Sequence, residues 1–172
     1  ETGLAGCAKV NYTTPERYEQ GLVVILDGAG GITRAPQQIR QGLDEGGVKH
    51  ALEIFRWSAG HNVLADQLDI ERNRLLASRL ADRLLDYMTE HPQRPVHLIG
   101  LSAGTGIVIF ALEQLPADRP ADGVFLLASS LNAGYDLTQA MRRVRNHIVN
   151  FSSRADLMIL GLGVTPVSYT PL

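Results

Sequence analysis

Short apolar runs alternate with segments of helical periodicity along most of this chain. Runs of four to eight apolar residues bounded by glycine, proline or polar residues are typical of strands buried on both faces. Such runs predict five strands, at 22–26, 51–57, 96–99, 123–128 and 148–152. Helical spacing predicts helices at 36–43, 70–90, 104–115 and 137–147, with Asp69 as the N-cap of the long second helix. Strands that alternate with helices predict an α/β fold, a mostly parallel doubly wound sheet with helices on both faces.

The third predicted strand runs directly into a serine between two glycines. The segment is Gly100-Leu101-Ser102-Ala103-Gly104, and a helical apolar pattern follows it. A strand, a tight turn and a helix in this order place the serine hydroxyl above the sheet, over the N-terminus of the helix. Ser102 is therefore the candidate nucleophile. The alternative is an ordinary helix-capping serine.

Composition narrows the function classes. The chain has 172 residues, of which 45% are hydrophobic, and a formal net charge of −2. This size and apolar content suit one globular domain, and the charge gives no electrostatic footprint for nucleic acid. Neither a cofactor fingerprint nor a metal-binding motif of the CxxC or HExxH type occurs, so we expect no cofactor and no metal.

The N-terminal residues carry a possible lipidation signal. Leu4-Ala5-Gly6-Cys7 resembles the lipobox of bacterial lipoproteins, in which the cysteine receives the lipid. We accordingly expect residues 1–20 to be a tail or lipoprotein linker, 21–160 an incomplete catalytic domain, and 161–172 a tail that does not belong to the natural protein. A lipidated Cys7 would anchor the protein to the bacterial cell envelope; without it, the expected location is the cytoplasm.

The GLSAG turn between a strand and a helix resembles the nucleophile elbow of the α/β-hydrolase superfamily, in its esterase and lipase-like branch, and the resemblance covers about residues 22–156. It implies a serine hydrolase without a large cap domain, with an ester, thioester or related acyl bond of a small or lipid-like molecule as substrate. The amide of Ala103 would be one oxyanion donor, and the amide of Ala29 or Gly30 the second. The turn Asp27-Gly28-Ala29-Gly30-Gly31 resembles the His-Gly-x-Gly motif of these enzymes, with Asp27 in place of His. A plain glycine-rich strand exit is the alternative.

The same resemblance assigns the acid and the base of the triad. Asp156, just after the fifth predicted strand, would be the acid, with Asp136 as the alternative; either could instead be a turn or N-cap residue. The base should follow the acid, yet the five histidines all precede Asp156: His50, His61, His91, His97 and His147. We expect the catalytic histidine to lie beyond the end of this chain, which by itself would be inactive. The alternative function is a non-catalytic binding or scaffold module on a hydrolase-like fold.

Overall fold

A computed structural model of the chain describes residues 10–31, 33–58 and 69–152. It contains one five-stranded sheet, in which every pair of neighbouring strands is parallel. The strands are β1 (Leu22–Leu26), β2 (Ala51–Phe55), β3 (Val96–Leu101), β4 (Ala121–Leu127) and β5 (Val144–Phe151), in the spatial order β2-β1-β3-β4-β5. The predicted α/β fold with a parallel sheet is confirmed.

Helices cover both faces of the sheet, as predicted. The described helices are α1 (Pro15–Tyr18), α2 (Ala35–Glu45), α3 (Ile70–Glu90), α4 (Gly104–Gln114) and α5 (Thr138–Met141). One face packs against α3, α4 and α5 and forms the larger core, while the other face packs against α2. The side chain of Asp69 accepts a hydrogen bond from the Arg72 amide at 2.9 Å, which confirms the predicted N-cap.

The predicted helix 137–147 is wrong over most of its length. Only Thr138–Met141 is helical, and the chain enters β5 at Val144. β-branched residues at Val144, Ile148 and Val149 fit the pleated ladder beside β4 better than a helix, where their χ1 rotamers are restricted. The segment between β4 and β5 therefore holds one short helix, and no large cap domain is inserted there.

The second strand ends two residues earlier than predicted, at Phe55 instead of Trp57. Trp57 is only 2% exposed, and its indole N–H donates to the backbone carbonyl of Asp27 at 2.8 Å. The chain therefore leaves the ladder so that this side chain can turn in against the end of β1.

Residues 10–20 lie against the domain. The Tyr12 carbonyl accepts a hydrogen bond from the Leu52 amide at 2.9 Å, and Tyr18 packs against the larger core. The hydroxyl of Tyr87 donates to the Tyr18 carbonyl at 2.7 Å. The predicted lipidation site Cys7 and the predicted tail 161–172 lie outside the described residues. None of the described helices combines the length and apolar character needed to cross a bilayer.

Candidate active site

Ser102 sits at the sharp turn between β3 and α4 with a φ of +50°. This left-handed conformation is uncommon for a residue with a side chain, and it occurs most often at functional sites. The flanking glycines allow it. A Cβ on Gly100 would lie 2.9 Å from the Cα of Thr105, and a Cβ on Gly104 would lie 2.3 Å from the backbone oxygen of Asp27. Both positions therefore require glycine, and the turn has the geometry of a nucleophile elbow.

Backbone and hydroxyl hydrogen bonds fix the elbow. The Ser102 amide donates to the Leu127 carbonyl at 2.9 Å, which ties the turn to the end of β4. The Ser102 carbonyl accepts from both the amide of Thr105, at 3.0 Å, and its hydroxyl, at 2.6 Å. Ser129 donates to the Thr105 hydroxyl at 3.2 Å. None of these bonds uses the Ser102 hydroxyl, which makes no hydrogen bond within the described residues.

The glycine-rich turn after β1 lies beside the elbow. A Cβ on Gly28 would be 3.3 Å from the Cβ and 3.8 Å from the Oγ of Ser102. Ala29 is half-buried, and Gly30 and Gly31 have φ values of +83° and +57°. This turn therefore passes directly alongside the serine, where an oxyanion donor would have to lie.

Asp27 holds that turn in place through its carboxylate, which is 7% exposed. Oδ1 accepts from the Gly28 amide at 2.8 Å and from the Thr33 hydroxyl at 2.6 Å, and Oδ2 accepts from the Thr33 amide at 3.2 Å. Thr33 in turn accepts from the Ala35 amide at 3.2 Å, at the start of α2. The buried carboxylate is thus well supplied with donors. Sequence reasoning missed the role of Thr33, which only the return of the chain after the turn reveals.

The amides proposed as oxyanion donors differ in their surroundings. The amides of Ala103 and Ala29 donate no hydrogen bond to any part of the chain that the structure describes. Ala103 is 6% exposed and stands directly after the serine, at the N-cap position of α4. An N–H at a helix N-terminus without an internal acceptor is suited to stabilise a negative charge. Gly30 remains the alternative to Ala29 in the same turn.

The described histidines lie at the opposite end of the sheet. His97 is the second residue of β3, and five residues of extended strand separate it from Ser102 by about 16 Å. His147 is level with His97, because both pair with Gly123 of β4, and the ring of His50 stacks on that of His97 at 5.6 Å. His91 caps the end of α3 and contacts Glu19 at 3.2 Å. No described histidine can therefore act on Ser102, and His61 lies outside the described residues.

Of the two candidate acids, the structure describes Asp136 but not Asp156. Asp136 is exposed, and its carboxylate accepts from the Thr138 amide at 2.8 Å at the start of α5, so that hydrogen bonding from Thr138 lowers its pKa. These contacts are those of a turn residue that caps a short helix. Asp156, the first candidate, lies outside the described residues, as does the strand exit that carries it.

A cavity of about 330 Å³ adjoins the turn after β1, on the side of β2. Asp27, Gly30 and Gly31 line it together with Trp57 and Ser58, whereas Ser102 does not. Among the described residues, no three potential metal ligands are grouped closely enough to hold an ion. The described part of the site therefore consists of a strained serine, candidate amide donors and an adjacent cavity.

Solved structures share this fold, although no family model and no curated protein sequence matches the chain. An iodinated complex of acetyl xylan esterase matches with a TM-score of 0.55 and 11% identity, over 78% of this chain and 84% of the other. Trichoderma reesei cutinase in complex with a C11Y4 phosphonate inhibitor matches with a TM-score of 0.53 and 14% identity, over 81% of this chain. The chain spans 64% of the length of that cutinase. At these identities the likeness concerns the fold: the chain has an α/β-hydrolase-like sheet of the kind found in esterases, as the GLSAG turn predicted.

Proposed function

We propose that this protein is a serine hydrolase that cleaves an ester, thioester or related acyl bond, with Ser102 as the nucleophile. The observation that carries the proposal is the φ of +50° at Ser102, between two glycines whose neighbours leave no room for a Cβ. Backbone strain at a capping serine has no structural purpose, whereas a strained turn that lifts a hydroxyl off the sheet suits a nucleophile. The esterase-like fold of the solved structures agrees with it.

The reaction follows from the positions of the groups. The Ser102 oxygen would attack the acyl carbon while a base takes its proton, and the carbonyl oxygen would become an oxyanion. The Ala103 amide and the amide of Ala29 or Gly30 would donate hydrogen bonds to that oxyanion. The amides of Ala103 and Ala29 would break no internal hydrogen bond to do so, because neither donates one within the described residues. Collapse would release the alcohol or thiol with the transferred proton, and water would then free the acid from Ser102. Asp156 and a histidine outside the described residues would complete the triad.

Labelling with a fluorophosphonate probe tests the nucleophile. The probe forms a covalent bond with an activated serine, so we expect labelling of the wild-type protein expressed from the natural gene, with the base of the triad present, and none of Ser102→Ala in the same background. Ser78→Ala, in the middle of α3, is the matched control and should label as wild type. Folded wild-type protein that stays unlabelled, or label that persists in Ser102→Ala, would contradict the proposal.

A second candidate is a binding module that has kept the fold without the reaction. It is favoured by the placement of His50, His91, His97 and His147 at the far end of the sheet from Ser102. An unlabelled protein that still binds a small ligand would select this candidate over the hydrolase.

We further propose that Cys7 is lipidated and attaches the protein to a bacterial envelope membrane. The support is the Leu4-Ala5-Gly6-Cys7 pattern. Expression from the natural gene in a bacterial host fed an alkyne fatty acid should label the wild-type protein and not Cys7→Ser. Equal labelling of both, or of neither, would refute this attachment.

A further inference from the structure

The cavity beside the turn after β1 has no role in the chemistry proposed for Ser102. Its volume of about 330 Å³ falls at the lower end of the range found for ligand pockets. It lies where β1 and β2 end, and ligands of open parallel sheets bind at the carboxyl ends of the strands. Its lining combines apolar side chains with polar ones: Pro36, Ile54 and Phe55 with Thr33, Gln37 and Arg56. The cavity thus suits a small molecule with an apolar body and a polar end.

The charges around the cavity favour an anionic end. Arg56 is exposed and makes no ion pair with the rest of the described chain, so its guanidinium is available to a ligand. Pro36 and Gln37 belong to the first turn of α2, whose N-terminus carries a partial positive charge. Among the described lining residues the carboxylate is that of Asp27, which already accepts three hydrogen bonds from its own turn. An incoming carboxylate would therefore meet the Arg56 guanidinium, which is unpaired among the residues that the structure describes, and a helix N-terminus.

The cavity is also linked to Ser102 by the turn that forms its wall. Gly28 of this turn lies against Ser102, while Asp27, Gly30 and Gly31 line the cavity. The Trp57 indole, also in the lining, fixes the Asp27 carbonyl from the cavity side. Ser102 and the cavity therefore lie against the same turn, and a substrate that follows this turn from Ser102 would reach the cavity.

We propose that the cavity binds a terminal carboxylate of the substrate, so that the preferred substrates are esters of short apolar chains that end in a carboxylate, such as half-esters of dicarboxylic acids. This inference rests on the proposed function, because it assigns the cavity to an ester substrate. Arg56 would then be the residue that selects the charged end, through a charge-assisted hydrogen bond.

The chain contains a single tryptophan, so Trp57 reports on the cavity. We would titrate the Ser102→Ala protein with monomethyl adipate and with its neutral counterpart, dimethyl adipate, and follow tryptophan emission and the heat of binding. We expect saturable binding of monomethyl adipate and about tenfold weaker binding of the diester. Arg56→Gln should weaken the half-ester by about tenfold. Arg142→Gln, an exposed arginine in the turn before β5, is the charge-matched control and should leave binding unchanged.

Three results would overturn the inference: no saturable binding by either method, equal affinity for the two adipate esters, or equal losses in Arg56→Gln and Arg142→Gln. Binding to Ser102→Ala needs no nucleophile, whereas fluorophosphonate labelling needs no cavity. Labelling without half-ester binding would therefore reject the carboxylate site alone. Half-ester binding without labelling would reject the hydrolase and leave the carboxylate site standing in a binding module.

Discussion

The strain at Ser102 leads to a measurable effect on stability that does not depend on catalysis. Ser102 has a φ of +50°, which glycine adopts freely and a residue with a Cβ does not. Placing an L-residue in this region costs about 1–2 kcal/mol. Replacing Ser102 with glycine removes this cost, but it also destabilises the fold by about 0.4–1 kcal/mol, because glycine gives the unfolded chain more conformational entropy. We therefore expect Ser102→Gly to be more stable than Ser102→Ala by about 0.5–1 kcal/mol.

The comparison with Ser102→Ala isolates the backbone term. Both variants lose the hydroxyl, which makes no hydrogen bond within the described residues, but only the glycine variant relieves the strain. Urea unfolding followed by far-UV circular dichroism gives the difference, provided that the m-values agree. In a chain of 172 residues, 1 kcal/mol corresponds to about 2–4 °C in Tm.

Gln93 supplies an internal control for this measurement, because it has a φ of +65° in the turn between α3 and β3, away from the site. The pair Gln93→Gly and Gln93→Ala should show the same stability difference as the pair at Ser102. If glycine stabilises position 93 and not position 102, the elbow is unstrained in solution, and the reasoning that makes Ser102 a nucleophile is refuted.

Three further predictions concern the stability of the fold. Gly104→Ala should destabilise the fold by more than about 2 kcal/mol in urea unfolding, because its Cβ would lie 2.3 Å from the Asp27 carbonyl oxygen. The control Gly42→Ala, which has open space in α2, should stabilise the fold by up to about 1 kcal/mol. Similar effects of the two substitutions would contradict the packing at Gly104. Asp27→Asn should cost about 1–3 kcal/mol, because an amide nitrogen would face backbone and hydroxyl donors, and a neutral result would show that the turn does not need the carboxylate. Burial lowers the pKa of His97 below its ordinary 6.5, so the unfolded chain binds the proton more readily and stability should fall as pH drops below about 6.5, until it levels off under the folded pKa. His97→Gln should reduce the fall of Tm between pH 7 and pH 5. An unchanged dependence of Tm on pH would show that protonation of His97 does not cause that fall.

The sequence predicts the centre of the sheet well, because β1 is a continuous apolar run, Leu22–Leu26, that a strand buried on both faces explains. It also predicts the elbow, because the glycines on either side of Ser102 have no other local purpose. It does not predict β5 fully, since Val144 begins a strand only because β4 lies beside it. Thr33 donates to Asp27 from across a glycine-rich turn, and the Trp57 indole donates to the Asp27 carbonyl from 30 residues away in sequence. Contacts of that kind depend on the tertiary structure and leave no periodic signal.

Asp27 stands where the His-Gly-x-Gly motif has histidine, and the contacts of Asp27 show what this difference means for the site. A residue of a different type at a motif position suggests a site that has lost its reaction. Here, however, the carboxylate accepts bonds from the Gly28 amide and from both donors of Thr33, and so shapes the same turn that the motif would form. What this position must supply is a group that fixes the turn beside Ser102, and Asp27 does so. The departure therefore gives no support to the binding module. The choice between the two functions depends instead on whether a base reaches Ser102, which covalent labelling of that serine measures directly.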